Sequence, residues 1–408
     1  MSGFHPFAGK AFFSLFSRRE QGKGCNDPLK ASIVKSKNQM TAIIILNWNG
    51  AKDTMQCLAS LFRARQSGQC PFLWMVVDNG SSDNSVEKIK SWLGKQGEAF
   101  VELQEGESLV SEPRPTCGIL YRLSENYGFA KGNNLGIELL ERYFAGSNPE
   151  AAADVLAEGS AAKPADASRM RSPAYYLLLN NDTEVEPDFL FRLEEFAASH
   201  PEYAALTPQI RYGKPSRQIW NCGGRVRWGF RKYHYLKQDY SRIKEKDFIS
   251  INLITGCALF FKRELLGNPD AWMGRPMPEG RFPHVFTERF FFGEEDFDFS
   301  LRMQAEGRKM ACVLSSVIFH NQGATQGGLK RLGRARIFYL CRFIDVRQHW
   351  GMGLKYVLWK FLYLPYVAVV LHRIGASWGT ACSLARNIGK EAGRMEGVSK
   401  EIFLEYIR

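Results

Sequence analysis

The sequence predicts an α/β fold: an open, mostly parallel, Rossmann-like twisted sheet with flanking helices, followed by a C-terminal helical extension. Two observations carry the prediction. Short β-branched runs alternate with stretches of helical periodicity in the first half of the chain. Three of those runs also stop in turns rich in Asn, Asp and Gly, the end at which open α/β sheets bind ligands. A chain of 408 residues, 45% hydrophobic and 24% charged, is long enough for a large core and has globular composition.

Residues 1–38 are basic and lack sustained periodicity, and they read as a loosely ordered tail. Thr41–Leu46 is a buried parallel strand that ends at Asn47-Trp48-Asn49-Gly50. Lys52–Arg65 repeats apolar residues at helical spacing through Met55, Leu58, Leu61 and Phe62. A second strand, Phe72–Val77, stops at the Asp78–Asp83 turn, and a helix follows from Ser85 to Leu93. A third strand near Gly118–Leu123 leads through Asn126–Asn134 into a helix reaching Phe144. Residues 145–172 are rich in Ala, Ser, Gly and Pro and read as a flexible insertion. The strand Tyr175–Leu179 ends at Asn180-Asn181-Asp182, ahead of a helix over Pro187–Ser199. Arg225–Tyr240 mixes basic and aromatic residues, Asn252–Lys262 reads as a buried strand, and Ala311–Phe319 as another. The domain boundaries that follow are a tail at 1–38, an α/β domain at 39–325 and a basic, amphipathic helical region at 326–408.

The net charge of +12 predicts affinity for something anionic. Nine scattered cysteines without a CxxC pair fit reduced thiols in a cytosolic protein. The apolar run Tyr356–Leu371, with Lys360 and Pro365 inside its 16 residues, falls short of a membrane span. Its tyrosines and tryptophan beside Lys355 and Lys360, preceded by the basic stretch Lys330–Arg347, fit a helix lying on an anionic surface instead. A pair of helices packed on the α/β domain is the competing reading.

Each polar turn has a structural explanation of its own, because Asn-Gly and Asp-Asn-Gly are good turn formers. Three at the same edge of one sheet point to a nucleotide, with Asp78 accepting from a base or ribose donor. Asn180 and Asp182, two apart on an extended segment, would share a side and hold half a Mg²⁺ or Mn²⁺ site; the competing role for Asp182 or Thr183 is a helix cap. Phe290–Phe299 sets four acids, Glu294, Glu295, Asp296 and Asp298, among aromatic rings ahead of a helix. Acids are favoured at a helix N-terminus on electrostatic grounds alone. A carboxylate held between rings is also desolvated and more basic, as a general base should be. His320, after a strand, is either a core histidine or the nitrogen ligand of a Mn²⁺-type site.

Seven segments in order, AIIILNWNG, WMVVDNGSSDNS, ENYGFAKGNNLGI, YLLLNNDTEVEPDFL, TGCALFFKRELL, FFGEEDFDFSLRMQAEG and SSVIFH, resemble the family 2 inverting glycosyltransferases, most of all the bacterial rhamnosyltransferase-like members. The resemblance spans about residues 41–325 and implies a GT-A fold. It implies that Asp78 contacts the nucleoside, with Asn47, Asn49, Asn126, Gly128, Asn133, Asn134 and Asn181 around the donor. It implies that Asp182, last residue of a DxD-like motif, binds Mg²⁺ or Mn²⁺ and that His320 is a further ligand. It makes Asp296 of the Glu-Asp pair the catalytic base, with Glu295 beside it. Thr255 and Gly256 fall on the acceptor side, and Trp228 with the basic residues around it is the candidate platform for the acceptor. The sequence departs from the family pattern at Asn180, which replaces the first Asp of DxD, and at Asn133, where many relatives carry Arg.

The expected activity is transfer of a sugar, rhamnose by resemblance, from a dTDP- or UDP-sugar to a hydroxyl of a glycan or polyprenyl-diphosphate-linked acceptor in cell-surface polysaccharide synthesis. The expected location is cytoplasmic, peripheral at the inner face of the membrane. Two other classes compete. A nucleic-acid-binding protein would use the positive charge, but not the acids at 294–298. An inactive sugar-binding scaffold would have no need of intact Asp182 and Asp296. A nicotinamide enzyme is disfavoured, since no GxGxxG follows the first strand.

Overall fold

The structure, a computed structural model, describes residues 40–66, 70–107, 118–147, 172–214, 216–243, 245–321 and 328–407. The tail at 1–38, most of the predicted insertion at 145–172, Cys25 and Cys117 lie outside these residues. In chain order the first half runs β1 (Thr41–Asn47), α1 (Ala51–Gln66), β2 (Phe72–Asp78), α2 (Ser85–Gln96), β3 (Phe100–Gln104), β4 (Gly118–Arg122), α3 (Gly128–Ser147), β5 (Tyr175–Asn180), β6 (Thr183–Val185) and α4 (Phe189–Ser199). It continues with β7 (Tyr203–Tyr212), β8 (Ile219–Asn221), β9 (Gly224–Arg227), β10 (Phe230–Tyr233), β11 (Phe248–Ile251), β12 (Ala258–Lys262), α5 (Glu295–Ala305) and β13 (Lys309–His320). Four helices close the chain: α6 (Gly328–Trp350), α7 (Leu354–Arg373), α8 (Trp378–Glu391) and α9 (Lys400–Ile407).

The sheet runs in the order β11-β13-β7-β12-β5-β1-β2-β4-β3, with β6 beside β13 and β8 beside β7. From β5 to β3 every pairing is parallel. This is the mixed, mostly parallel α/β architecture expected from the alternating strand and helix patterns. Successive residues of β1 enter different cores: Ile43 and Ile45 pack with α1, α2 and α4, while Ala42 and Ile44 pack with α3 and α5. Both faces of the sheet are therefore covered, which is why its strands read as unbroken apolar runs.

Two readings of the chain need correction, and one strand has no counterpart in them. The third strand of the sequence is the fourth of the fold, because β3 pairs beside it at the sheet edge. The segment read as one strand over 252–262 is a turn at 252–257 between β11 and β12, and that turn carries Thr255 and Gly256. The ten-residue β7 lies in the middle of the sheet although it contains Pro208. Proline cannot donate to a ladder, and it is tolerated here next to a register shift between Val313 and Val317 of β13.

The C-terminal region is not a separate body. Phe299 and Met303 of α5 enter the core under the sheet, whereas Phe297 and Leu301 enter a third core built from α6–α9. Helix α5 is thus wedged between sheet and helical layer. Arg342 of α6, 6% exposed, grips Glu294 through two hydrogen bonds of 2.9 and 3.3 Å and Tyr363 Oη through a third of 2.7 Å. Helix α7 spans 20 residues, so the apolar run extends past the 16 counted from the sequence, and by length and composition it is apolar enough to cross a membrane. Its Tyr356, Trp359, Tyr363, Val367 and Leu371 are nevertheless buried in the helical core.

Breaking a buried ion pair from one side leaves an uncompensated charge and costs about 3–5 kcal/mol. Arg342→Met should lower the free energy of unfolding by that order in urea titrations. An unchanged midpoint would show that Glu294 does not depend on Arg342.

Candidate active site

The carboxyl ends of β5, β1 and β2 lie side by side, with Leu46 opposite Asn180 and Asn47 opposite Asp78. Asp78, 3% exposed, accepts from Asn47 Nδ2 (2.7 Å), Ser81 Oγ (2.6 Å) and Ser81 N (3.1 Å). Asn47 in turn accepts from Thr54 Oγ1 at 2.8 Å, and Thr54 Oγ1 accepts from Asn181 Nδ2 at 3.0 Å. Asn49, in the left-handed region at φ 51, pins the opposite wall by accepting from Ser82 N at 2.9 Å. Four of the predicted residues, Asn47, Asn49, Asp78 and Asn181, thus join one hydrogen-bonded rim. Asn79, Thr54 and Ser81, which sequence reasoning did not single out, are its connectors.

The next segment is stitched to this rim through Asn79. Its Nδ2 donates to Asn126 Oδ1 and Gly128 O, both at 3.0 Å, and its Oδ1 accepts from Tyr127 N at 3.0 Å. Gly80 (φ 64) and Gly128 (φ 84) are required here: a Cβ would stand 2.3 Å from Glu125 and 1.9 Å from the Phe291 carbonyl oxygen. That close approach brings the start of α3 against the acidic segment. Two predicted donor residues are placed otherwise. Asn134 is fully buried, giving its Nδ2 to Phe286 O (2.8 Å) and Glu288 (3.0 Å) and accepting from Phe286 N (3.1 Å), so it clamps a loop. Asn133, 2% exposed, donates to Phe129 O in its own helix.

Asp182 and His320 are far apart in the chain and meet because β13 pairs with β6. His320 Nε2 lies 3.0 Å from Asp182 Oδ1, both residues are at most 4% exposed, and Trp220 packs 4.4 Å from the imidazole. Burial raises the Asp182 carboxyl, but the hydrogen bond and charge of His320 outweigh it and hold it below the usual range. The alternating-side argument for Asn180 and Asp182 does not apply, since β5 ends at Asn180 and Asp182 sits in the following turn. Neither Asp182 nor Thr183 caps α4: its N-cap is Asp188, and Thr183 Oγ1 donates to Asn180 O. A buried carboxylate beside an imidazole is a mixed oxygen and nitrogen donor pair of the kind that suits Mn²⁺. His320 Nδ1 is buried with no hydrogen-bond partner among the described residues.

The four acids at the start of α5 end in three different states. Glu294 is bound by Arg342 and Arg231. Asp298 is held by Arg289, by Arg302 at 3.2 Å and by His349 at 3.0 Å, and these cations overcome burial to keep its carboxyl well below the usual range. Glu295 is buried and accepts from Gly293 N at 2.8 Å; burial, chiefly, pushes it up to about 8. Asp296 is only half-buried, and it accepts from Gly256 N at 3.3 Å. A Cβ at Gly256 would stand 3.4 Å from the Phe129 ring, and Cys257 O accepts from Asn180 N at 2.9 Å. Thr255–Cys257 therefore bridges Asp296 and the end of β5. Trp228 is elsewhere, at the tip of the β9–β10 hairpin beside α7, and Arg231 is spent on Glu294.

Among the described residues one other cluster has metal-like spacing: Glu138, His284 and Glu288 present atoms within 4.8 Å of one another. Arg281 already neutralises it, donating to Glu138 at 2.7 Å and to Glu288 at 2.6 Å.

No protein-family model and no curated protein sequence matches the chain. Among solved structures it is similar to a mannosyltransferase from Pyrobaculum calidifontis in complex with GDP-Man and Mn²⁺, at 13% identity, TM-score 0.43, over 88% of this chain and 76% of that one. It is similar to GalNAc-T7 with UDP, GalNAc and Mn²⁺ at 13% identity, TM-score 0.46, over 91% of this chain and 56% of that one. A fragment of S. aureus TarS matches at 11% identity, TM-score 0.39, over 87% of this chain and 92% of that one.

The state of Glu295 has a measurable consequence. An unfolded glutamate titrates near 4.5 and the folded one near 8, so between those values the folded chain keeps a proton that the unfolded chain has lost. Stability then falls as pH rises through that window, by about 1.4 kcal/mol per pKa unit. Glu295→Gln carries no such proton, so its stability relative to the wild type should grow by a few times that amount between pH 5 and pH 8. Equal differences at both pH values would mean that Glu295 is ionised in the fold.

Proposed function

We propose that this chain is an inverting glycosyltransferase of the GT-A type that uses a nucleoside-diphosphate sugar. The observation that carries the reading is the convergence of three groups on one sheet edge. They are the Asp78 rim, the Asp182–His320 pair and the half-open Asp296 next to Gly256. The first suits a nucleoside, the second a divalent cation against a diphosphate, and the third a reacting hydroxyl.

In this mechanism Asn47, Asn49 and Asp78 hold the nucleoside, with Asn126 and Gly128 shaping the wall beside it. Asp182 and His320 are the residues that would hold Mg²⁺ or Mn²⁺. Such an ion, when bound, supplies Lewis-acid compensation for charge on the leaving diphosphate. Thr255 and Gly256 line the approach of the acceptor. Asp296 takes the proton of the acceptor hydroxyl as its oxygen forms a bond to the anomeric carbon. The bond from that carbon to the diphosphate oxygen breaks on the opposite face, through an oxocarbenium-like transition state. Glu294 and Asp298 are neutralised by arginines, and Glu295 is turned back onto Gly293, so Asp296 is the acid left to act as base. Rhamnose as the sugar, dTDP as the nucleotide and a glycan or polyprenyl-diphosphate-linked acceptor rest on the sequence resemblance.

The reading predicts release of nucleoside diphosphate from one member of a donor series headed by dTDP-rhamnose, accelerated by an acceptor saccharide. General-base contributions run to about 10²–10⁴-fold, and Asp296→Asn should lose at least that much turnover while its thermal midpoint holds. Near-normal turnover by Asp296→Asn would move the base to another residue. Silence of the wild type with every donor would remove the proposed activity.

A further inference from the structure

We propose that the outward face of α7, together with the tip of the β9–β10 hairpin, docks on an anionic lipid bilayer, with α7 lying in the plane of the interface. Helix α7 is apolar on two sides. One side fills the helical core. The other presents Leu354, Val357, Leu358, Phe361 and Leu362, which are 73, 52, 47, 74 and 52% exposed. Their spacing of three and four residues sets them along one stripe. Packing of the chain accounts for the inner face only, and soluble surfaces seldom carry so continuous an apolar stripe without a partner.

The hairpin extends this face. A Cβ at Gly229 would stand 2.5 Å from Trp359 Nε1, so the hairpin tip rests against α7. Beside it Trp228 is 48% exposed and holds a left-handed backbone at φ 54, an uncommon conformation for a bulky residue. An exposed indole next to aliphatic side chains is the composition of a membrane interface, where the ring lies at headgroup depth.

Charge identifies the partner. Residues 346–390 contain no Asp or Glu, and neither do residues 222–238. Arg225, Arg227 and Lys232 on the hairpin, and Lys355 and Arg373 at either end of α7, are exposed. Cations accompanying an apolar face match acidic headgroups. A second copy would bring the same cations against these and be repelled. A membrane-spanning α7 would have to extract Trp359 and Tyr363, stacked at 4.6 Å, from the core that holds Phe343 and Arg342. An in-plane helix keeps that packing.

The test is vesicle co-sedimentation of the full chain, without sugar donor, so that it is independent of the proposed reaction. The wild type should bind vesicles of phosphatidylcholine with phosphatidylglycerol, bind phosphatidylcholine alone weakly, and lose binding as salt rises. Leu358→Ser with Phe361→Ser should reduce partitioning on the order of tenfold for each side chain. Lys355→Gln with Arg373→Gln should reduce binding to the anionic vesicles by about fivefold per charge and leave the neutral ones unaffected. Both variants keep the basic residues 1–38 and alter exposed positions only, so their thermal midpoints should match the wild type. Equal vesicle binding by wild type and the serine variant would overturn the proposal. So would a wild-type dimer, absent from the serine variant, that binds no vesicles.

Discussion

Four carboxylates at the start of one buried helix are the constraint on which the rest of the molecule depends. The N-terminus of α5 favours negative charge, but that effect is worth roughly 0.3–1 kcal/mol per group and cannot hold four of them out of water. The fold resolves the conflict in three ways. Arginines from α6 and β10 close on Glu294, and Arg289, Arg302 and His349 close on Asp298. Glu295 is buried with its affinity for a proton raised, and Asp296 alone is left half-open beside Gly256. The compensation ties the last 80 or so described residues to the sheet, because Arg342 and His349 both belong to α6. The C-terminal layer is thus part of what gives Asp296 its distinct environment.

A second constraint is topological. Asp78 and Asn47 become neighbours because β1 and β2 are adjacent parallel strands whose ends align. Asp182 and His320 become neighbours only because β13, 138 residues later, returns to pair with β6. The arrangement follows the general rule that ligands gather at the carboxyl edge of an open sheet. Here the edge is completed by the Thr255–Cys257 turn, which sits between the end of β5 and the acids of α5.

Much of this was legible in the sequence, for identifiable reasons. The β1, β2 and β5 runs are buried on both faces, so their apolar continuity and polar ends stand out one strand at a time. The acidic run at 294–298 is unusual in composition, so it stands out too. What separates its four acids is not local: the ion-pair partners Arg231, Arg289 and Arg342 lie far away or within unremarkable stretches. For the same reason Asn134 looked like a neighbour of the donor, when its amide is spent on Phe286 and Glu288 more than 150 residues away. Strand β7 was hidden by Pro208, whose tolerance depends on an irregularity in β13 that no local pattern reveals. The two faces of α7 were equally hard to separate, since a helix apolar on both sides has little periodicity to read.

In the proposed function the Asp78 rim and the Asp182–His320 pair form one site for a nucleoside diphosphate and a divalent ion. The most direct measurement is calorimetric titration of dTDP, UDP and GDP into the protein with Mn²⁺ and with excess chelator. The account predicts that one nucleotide binds, that its affinity falls on the order of tenfold or more without the ion, and that Asp182→Asn abolishes this dependence on Mn²⁺. Nucleotide affinity unaffected by chelator in the wild type, or an unchanged Mn²⁺ dependence in Asp182→Asn, would contradict it.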